Sequence, residues 1–311
     1  MRRVAALLAA AFLAALTGCG GGGAEPGAPK GATLVLDFQP NAVHSGIYAA
    51  EASGEFGDEG LDLTIREPSS TADSANLLES GRAALAVMDI NDFGIARERG
   101  LDLVAIAAIV QRPLASVIAR DRNEIRTPAD LAGKTIGVTG VPSDDAVLDT
   151  VLRSGGVDPS SVHRVTIGFN AVADLAAGKL DAATAFWNAE GVQLERRGIP
   201  IREFRVDQFG APRYPELVLV AKAGDEQLGA RLTAALTRGY GVLGRDPQKA
   251  LDDLFNRVPG LDRSAQKAQL ESLTSARAFA LGRSVATPHL EPASVERWHA
   301  WAVHAGLLQA G

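Results

Sequence analysis

The stretch Asp37-Phe38-Gln39-Pro40-Asn41-Ala42-Val43-His44 gathers an aromatic ring, two amides and an imidazole in one short run of chain. These groups can hold a ligand: a flat ring stacks on Phe38, while Gln39 and Asn41 each donate and accept hydrogen bonds. The run starts at the end of a short apolar strand, Thr33 to Leu36, breaks at Pro40 and resumes with helical spacing. A strand feeding a helix leaves unpaired N–H groups at the turn, where polar or anionic ligand groups can bind. Asn41, His44 and Tyr48, at i, i+3 and i+7, share one helix face. The same residues would equally serve as a polar N-cap followed by a surface histidine, and spacing alone leaves both open.

Other strand ends carry similar chemistry. Ala83 to Met88 runs into Asp89-Ile90-Asn91-Asp92, and Ala182 to Phe186 runs into Trp187-Asn188-Ala189-Glu190. The candidate stacking partners are Phe38, Trp187 and Tyr214. Gln39, Asn41 and Asn188 match the alternating donor and acceptor edge of an aminopyrimidine. Asp89 and Glu190 can each accept two N–H bonds from an amino group and a protonated ring nitrogen. A helix-cap or surface role is the alternative for each carboxylate. The loop Gly140–Ser143 can present backbone N–H groups, and His44, Met88 and Ser143 complete the candidate set. Catalytic constellations are missing: the five histidines (44, 163, 289, 299, 304) show no close metal-binding spacing, and there is no Gly-x-Ser-x-Gly elbow or P-loop lysine.

The elements that must position these residues alternate between strand and helix. Apolar runs at 61–65, 83–88, 103–110, 116–120, 135–138, 162–167, 182–186, 201–206 and 217–221 read as strands, with helical spacing between most of them. This pattern predicts an α/β fold with largely parallel sheets, whose ligands sit beyond the carboxyl ends of the strands. Crossings near 111–118 and 211–217 predict two lobes joined by a two-strand hinge: 31–114 with 214–311, and 115–213. The tail from Asp225 to Gln309 shows amphipathic helices and no clear strand, with Trp298, Trp301 and Leu308 as packing anchors.

With 311 residues, 46% hydrophobic and 22% charged, the chain suits a globular protein of about two domains. Its net charge of −6 argues against a nucleic-acid surface. Arg2 and Arg3 precede a short apolar core, Val4 to Leu16, and then Leu16-Thr17-Gly18-Cys19. This reads as a signal peptide over 1–18 with a lipobox. Cys19 is then the lipidated first mature residue, held to a membrane by acyl chains worth about 0.8 kcal/mol per buried methylene. Removing 1–18 leaves 29 basic and 37 acidic groups, a charge of −8. The Gly/Pro-rich segment 19–30 reads as a flexible tether. No disulfide within the chain is possible with a single Cys.

The opening motif resembles that of the thiamine-pyrimidine and sulfonate-type solute-binding proteins, a family that also contains the fungal thiamine pyrimidine synthase. Phe38 stands where the usual pattern has tryptophan. Further likeness lies in Val104–Pro113, Asp130–Gly137 and Gly178–Ala182, and the resemblance covers about residues 33–280. It implies a type II periplasmic-binding-protein fold, no cofactor, a monomer, and a small heteroaromatic ligand passed to an ABC permease and ATPase. By the same resemblance the synthase's cofactor-binding lysine falls at Met88 and its substrate histidine at Asp92. Its cysteine-rich segment falls at about 209–217, which holds no cysteine. The expected function is an importer's binding lipoprotein for a thiamine pyrimidine precursor, with riboflavin, sulfonate or synthase-like activity as alternatives.

Overall fold

The computed structural model describes residues 30–70, 73–121, 124–279, 281–282, 285–286 and 288–310. The expected leader, Cys19 and all of the expected tether except Lys30 lie outside them.

Ten strands form two five-stranded sheets: β1 (Lys30–Val35), β2 (Leu61–Arg66), β3 (Leu85–Asp89), β4 (Leu103–Val110), β5 (Ala115–Arg120), β6 (Thr135–Val138), β7 (His163–Thr166), β8 (Ala182–Phe186), β9 (Ile201–Arg205) and β10 (Leu217–Lys222). The first sheet runs β2-β1-β3-β10-β4 and the second β7-β6-β8-β5-β9. Within each, three neighbouring strands are parallel: β2-β1-β3 in the first and β7-β6-β8 in the second. β10 runs antiparallel to β3 and β4, and β5 antiparallel to β8 and β9. The reversed strands β5 and β10 are the ones that follow the two crossings. A chain entering a lobe from the cleft starts where the parallel strands finish, so it must run the other way.

The helices are α1 (Ser45–Ala52), α2 (Glu55–Asp58), α3 (Asp73–Glu79), α4 (Ile90–Glu98), α5 (Pro142–Ser154), α6 (Ala171–Ala177), α7 (Val192–Arg196), α8 (Glu226–Arg245), α9 (Pro247–Arg257), α10 (Arg263–Ser275) and α11 (Pro292–His304). They cover both faces of the first sheet, as the continuous apolar runs require. The side chains alternate as the two-residue period dictates. Leu34, Leu85, Val87 and Leu219 share one core with Ile47 of α1 and Leu232 and Leu236 of α8. Val35, Ala86, Met88, Val218 and Val220 share the other with Trp298 and Trp301 of α11. The tail differs from expectation in one respect: Leu281–Gly282 and Val285–Ala286 pair as a two-residue antiparallel ladder, too short to give a periodic signal.

The crossings are tied to each other by buried polar contacts. The Leu114 N–H donates to Glu216 Oε2 at 2.7 Å, and Arg112 Nε donates to Asp207 Oδ2 at 2.8 Å. Trp187 Nε1–H donates to the Pro113 carbonyl at 3.0 Å.

α1 and α8 pack closely because glycines face each other at the crossing. A Cβ on Gly46 would stand 2.5 Å from the Tyr240 ring, and one on Gly239 would collide with the α1 backbone. Tyr240 O–H donates to the Val43 carbonyl at 2.8 Å, fixing the start of α1 beside the site. Gly239→Ala is therefore expected to destabilise the chain by about 1–3 kcal/mol through overpacking. Gly57→Ala, where a Cβ meets nothing within 4 Å, is expected to be neutral or stabilising by up to about 1 kcal/mol. Urea unfolding of the two variants checks the contrast.

Candidate ligand-binding site

Between the sheets lies a cavity with about 890 Å³ of space free of protein atoms, its open mouth included. Its wall is built from the carboxyl ends of the parallel strands. β1 delivers Asp37 and Phe38, and β3 delivers Met88, Asp89 and Asp92. β6 leads to Thr139, Ser143 and Asp144, β7 to Gly168 and Phe169, and β8 to Phe186 and Glu190. The strand-end rule for open α/β sheets accounts for all of them.

Five carboxylates, Asp37, Asp89, Asp92, Asp144 and Glu190, line this cavity, and among the described residues no lysine, arginine or histidine does. Burial away from water is the main cause that raises four of them above the ordinary carboxylate range. Asp92 is pushed up to about 8 and Glu190 to about 7. Asp144 is raised less, because the Thr139 N–H (2.6 Å) and Thr184 O–H (2.9 Å) donate to it. Asp89 is pushed up by burial and then by the charge of the neighbouring, fully buried Glu216. Burial raises Glu216 as well, to about 7. Asp89 also caps α4, accepting the Asn91 N–H at 2.6 Å, so its cap role and its cavity position coexist.

His44 acts from behind the wall. Its Nδ1 accepts the Asn41 N–H at 3.1 Å, which leaves the proton on Nε2 to donate to Asp37 Oδ1 at 2.9 Å. The ring is fully buried and pins the Asp37 carboxylate at the cavity edge. The helix expected from Asn41 begins as a 3-10 turn, Ala42–His44, with Asn41 Oδ1 accepting the Val43 N–H at 2.9 Å. Side chains also meet across the cleft. Ser143 O–H on α5 donates to Asp92 Oδ1 on α4 at 2.7 Å. The rings of Phe38 and Phe169 meet edge to face, centroids 4.7 Å apart.

Of the residues expected in the site, Phe38, Met88, Asp89, Ser143 and Glu190 come together around this cavity. Gln39 and Asn41 line a neighbouring one on the other side of Phe38. The stacking roles expected for Trp187 and Tyr214 are corrected. Trp187 is fully buried in the hinge, where its ring packs with the first core under the Arg205 guanidinium, 4.1 Å from the ring centroid. It opens a five-residue π turn, Trp187–Gly191, that directs its ring into the hinge and Glu190 into the cavity. Tyr214 is buried and stacks on Trp301 with centroids 5.3 Å apart. Asn188 is buried beneath the π turn and lines neither cavity. Sequence reasoning passed over Asp37, Asp92, Asp144, Phe169 and Phe186. All five stand at strand ends, so applying the strand-end rule to every strand would have found them.

Residues 41–250 match the family described as NMT1/THI5 like. The formylaminopyrimidine-binding protein of Halalkalibacterium halodurans is 35% identical over 227 residues, covering 71% of this chain and 69% of that protein. The 4-amino-5-hydroxymethyl-2-methylpyrimidine phosphate synthase of Legionella pneumophila is 26% identical over 177 residues, 57% of this chain and 56% of that one. Among solved structures, the alkanesulfonate-binding protein SsuA of Xanthomonas axonopodis pv. citri, bound to MOPS, superposes with a TM-score of 0.71. It is 18% identical, with 91% of this chain and 96% of that chain covered, a likeness of fold. With the two sheets, the crossings and the interlobe cavity, these matches place the chain in the NMT1/THI5-like family, with a periplasmic-binding-protein fold.

Proposed function

We propose that this chain is the substrate-binding component of an ABC importer, tethered to a membrane through lipid on Cys19. It closes on an amino-substituted pyrimidine of the thiamine-precursor type and releases it unchanged. The observation that carries this reading is the cavity wall: five carboxylates with no basic residue, beside the rings of Phe38, Phe169 and Phe186. Such a wall accepts hydrogen bonds from an exocyclic amine and a protonated ring nitrogen, and it repels a sulfonate. Thr139 Oγ1, buried at the same wall with no partner in the chain, offers one more polar contact. Among the described residues, no three acidic, His or Cys side chains stand close enough to hold a metal ion together. The name of the Halalkalibacterium halodurans relative supports the same ligand class. A binding role is favoured over synthase chemistry because Met88 and Asp92 occupy the positions where the resemblance places the synthase's lysine and histidine.

Binding follows from closure. Bringing the lobes together strips water from the carboxylates and the ligand edge, which strengthens their hydrogen bonds. His44 holds Asp37 in place before the ligand arrives, so less ordering is left to be done on binding. No bond is broken.

Calorimetric titration with 4-amino-5-hydroxymethyl-2-methylpyrimidine, its formylamino analogue, riboflavin and an alkanesulfonate tests the reading. Heat of binding is expected from the aminopyrimidines and none from the sulfonate; the reverse order would refute it. Glu190→Gln keeps the shape but removes a charged acceptor. It is expected to weaken aminopyrimidine binding by about 1.5–3 kcal/mol, tenfold or more.

A pH dependence follows as well. The raised carboxyls keep protons in the folded chain that the unfolded chain gives up above its ordinary carboxylate range, about pH 4. Their stabilising effect is thus complete below about pH 4 and is lost as pH rises toward the folded value of about 8 for Asp92. The unliganded chain is expected to melt at progressively lower temperature from pH 5 to pH 8. Saturating aminopyrimidine should reduce that slope; scanning calorimetry at several pH values checks both.

A further inference from the structure

The turn that carries Phe38, Asn41 and His44 has a hydrogen-bond partner for each backbone N–H from Asn41 to His44. The Asn41 N–H donates to His44 Nδ1 at 3.1 Å, the Val43 N–H to Asn41 Oδ1 at 2.9 Å and the His44 N–H to the Asn41 carbonyl at 2.9 Å. The fourth, on Ala42, is met from outside the turn. It donates to Gln266 Oε1 at 2.7 Å, a side chain 224 residues further along the chain. The first N–H groups of a helical turn find no carbonyl within it, so an acceptor must be supplied. A backbone N–H only donates, so the Gln266 amide must turn its oxygen toward Ala42.

Gln266 is itself held in place. It lies in the first turn of α10, where its N–H donates to the Asp262 carbonyl at 3.0 Å. The Asp262 carboxylate caps the same helix, accepting the N–H groups of Ser264 and Ala265, each at 3.0 Å. Gln266 is 7% exposed and lines the second cavity beyond Phe38, together with Ala265 and Gln269 of the same helix. α10 also packs against the π turn that delivers Glu190, and against α7, whose Arg196 donates to the Ser264 hydroxyl. One helix thus braces both walls of the ligand site, the 38–44 turn on one side and the π turn on the other.

We propose that Gln266 is a positioning residue for the ligand site: it anchors the turn that holds His44 against Asp37 and keeps Phe38 at the cavity wall. Gln266 does not line the acidic cavity, so its effect passes through the turn. Without this acceptor the buried Ala42 N–H is left unpaired, which is costly enough to shift the turn toward another partner. His44 Nδ1 takes its hydrogen bond from Asn41, the residue before Ala42, so such a shift loosens the imidazole and with it Asp37. The effect on ligand affinity rests on the aminopyrimidine reading; the effect on His44 does not.

Two measurements on the full chain test this. Nitrogen-edited NMR follows the hydrogen-bonded His44 Nε2 proton, and calorimetry follows the binding of 4-amino-5-hydroxymethyl-2-methylpyrimidine. Gln266→Met keeps the length of the side chain and removes the acceptor, whereas Gln266→Glu keeps the acceptor. In Gln266→Met the His44 proton is expected to exchange with water roughly tenfold faster, and the pyrimidine to bind about tenfold more weakly. Gln266→Glu is expected to bring both back to within about threefold of the unaltered chain. A His44 proton that exchanges equally fast in the unaltered chain and in folded Gln266→Met, or equal losses in the two variants, would overturn the proposal. If Gln266→Met does not fold, Gln266→Asn, which draws the acceptor back by one methylene, is expected to show the same losses, and their absence there would overturn it. An unaltered chain that binds no pyrimidine would count against the aminopyrimidine reading, and the His44 proton would still decide the role of Gln266.

Discussion

The arrangement depends on one costly constraint, the gathering of five carboxylates around a single, largely desolvated cavity. Each parallel strand near the cleft finishes within a few residues of an acidic side chain or an aromatic ring, so packing the strands side by side brings them together. A lone buried carboxylate is expensive, and several facing one another more so. The fold meets that cost in part with its own hydrogen bonds: His44 to Asp37, Asn91 N–H to Asp89, Thr139 and Thr184 to Asp144, Phe186 N–H to Glu190. Burial raises Asp89, Asp92, Asp144 and Glu190, and so favours their protonated forms. A ligand bearing N–H donors can replace those protons, and that links the energetics of the empty fold to its selectivity.

In the proposed closure the two crossings are the pivot. Both crossings pass through a buried knot of Leu114, Pro113, Glu216 and Trp187, while the contacts away from it include Ser143 to Asp92, Arg196 to Ser264 and the edge-to-face rings of Phe38 and Phe169. A strong pivot with weak closing contacts suits a protein whose closed form is to be set by its ligand. Trp187 and Tyr214 belong to this machinery as packing elements, even though neither ring reaches the cavity.

Much of this was legible in the chain. The alternation of strand and helix pointed to the mixed α/β fold that the two five-stranded sheets carry, and the apolar runs marked strands buried on both faces. That Phe38, Asp89 and Glu190 line one cavity was legible because strand ends face the cleft in such folds. Trp187 was not, because the π turn after β8 changes which residues point inward, and a π turn leaves no mark in spacing. Tyr214 looked like a stacking group but met Trp301, some ninety residues later, a contact no local pattern encodes. The tie of Asp37 to His44 was not legible, because it depends on the tautomer of the ring, set by a backbone N–H. The second cavity was hidden as well, since α10 reaches it from the far end of the chain.

A fold shared with an alkanesulfonate-binding protein and a family shared with pyrimidine synthases mean that architecture alone decides little about the ligand. The charge of the cavity wall decides more. A crystal structure of the chain grown with 4-amino-5-hydroxymethyl-2-methylpyrimidine would test that most directly. The account predicts the ring between the lobes, with its exocyclic amine within hydrogen-bond distance of at least one of Asp37, Asp89, Asp92, Asp144 and Glu190. A pyrimidine seated away from these carboxylates, or turning its amine from them, would contradict it.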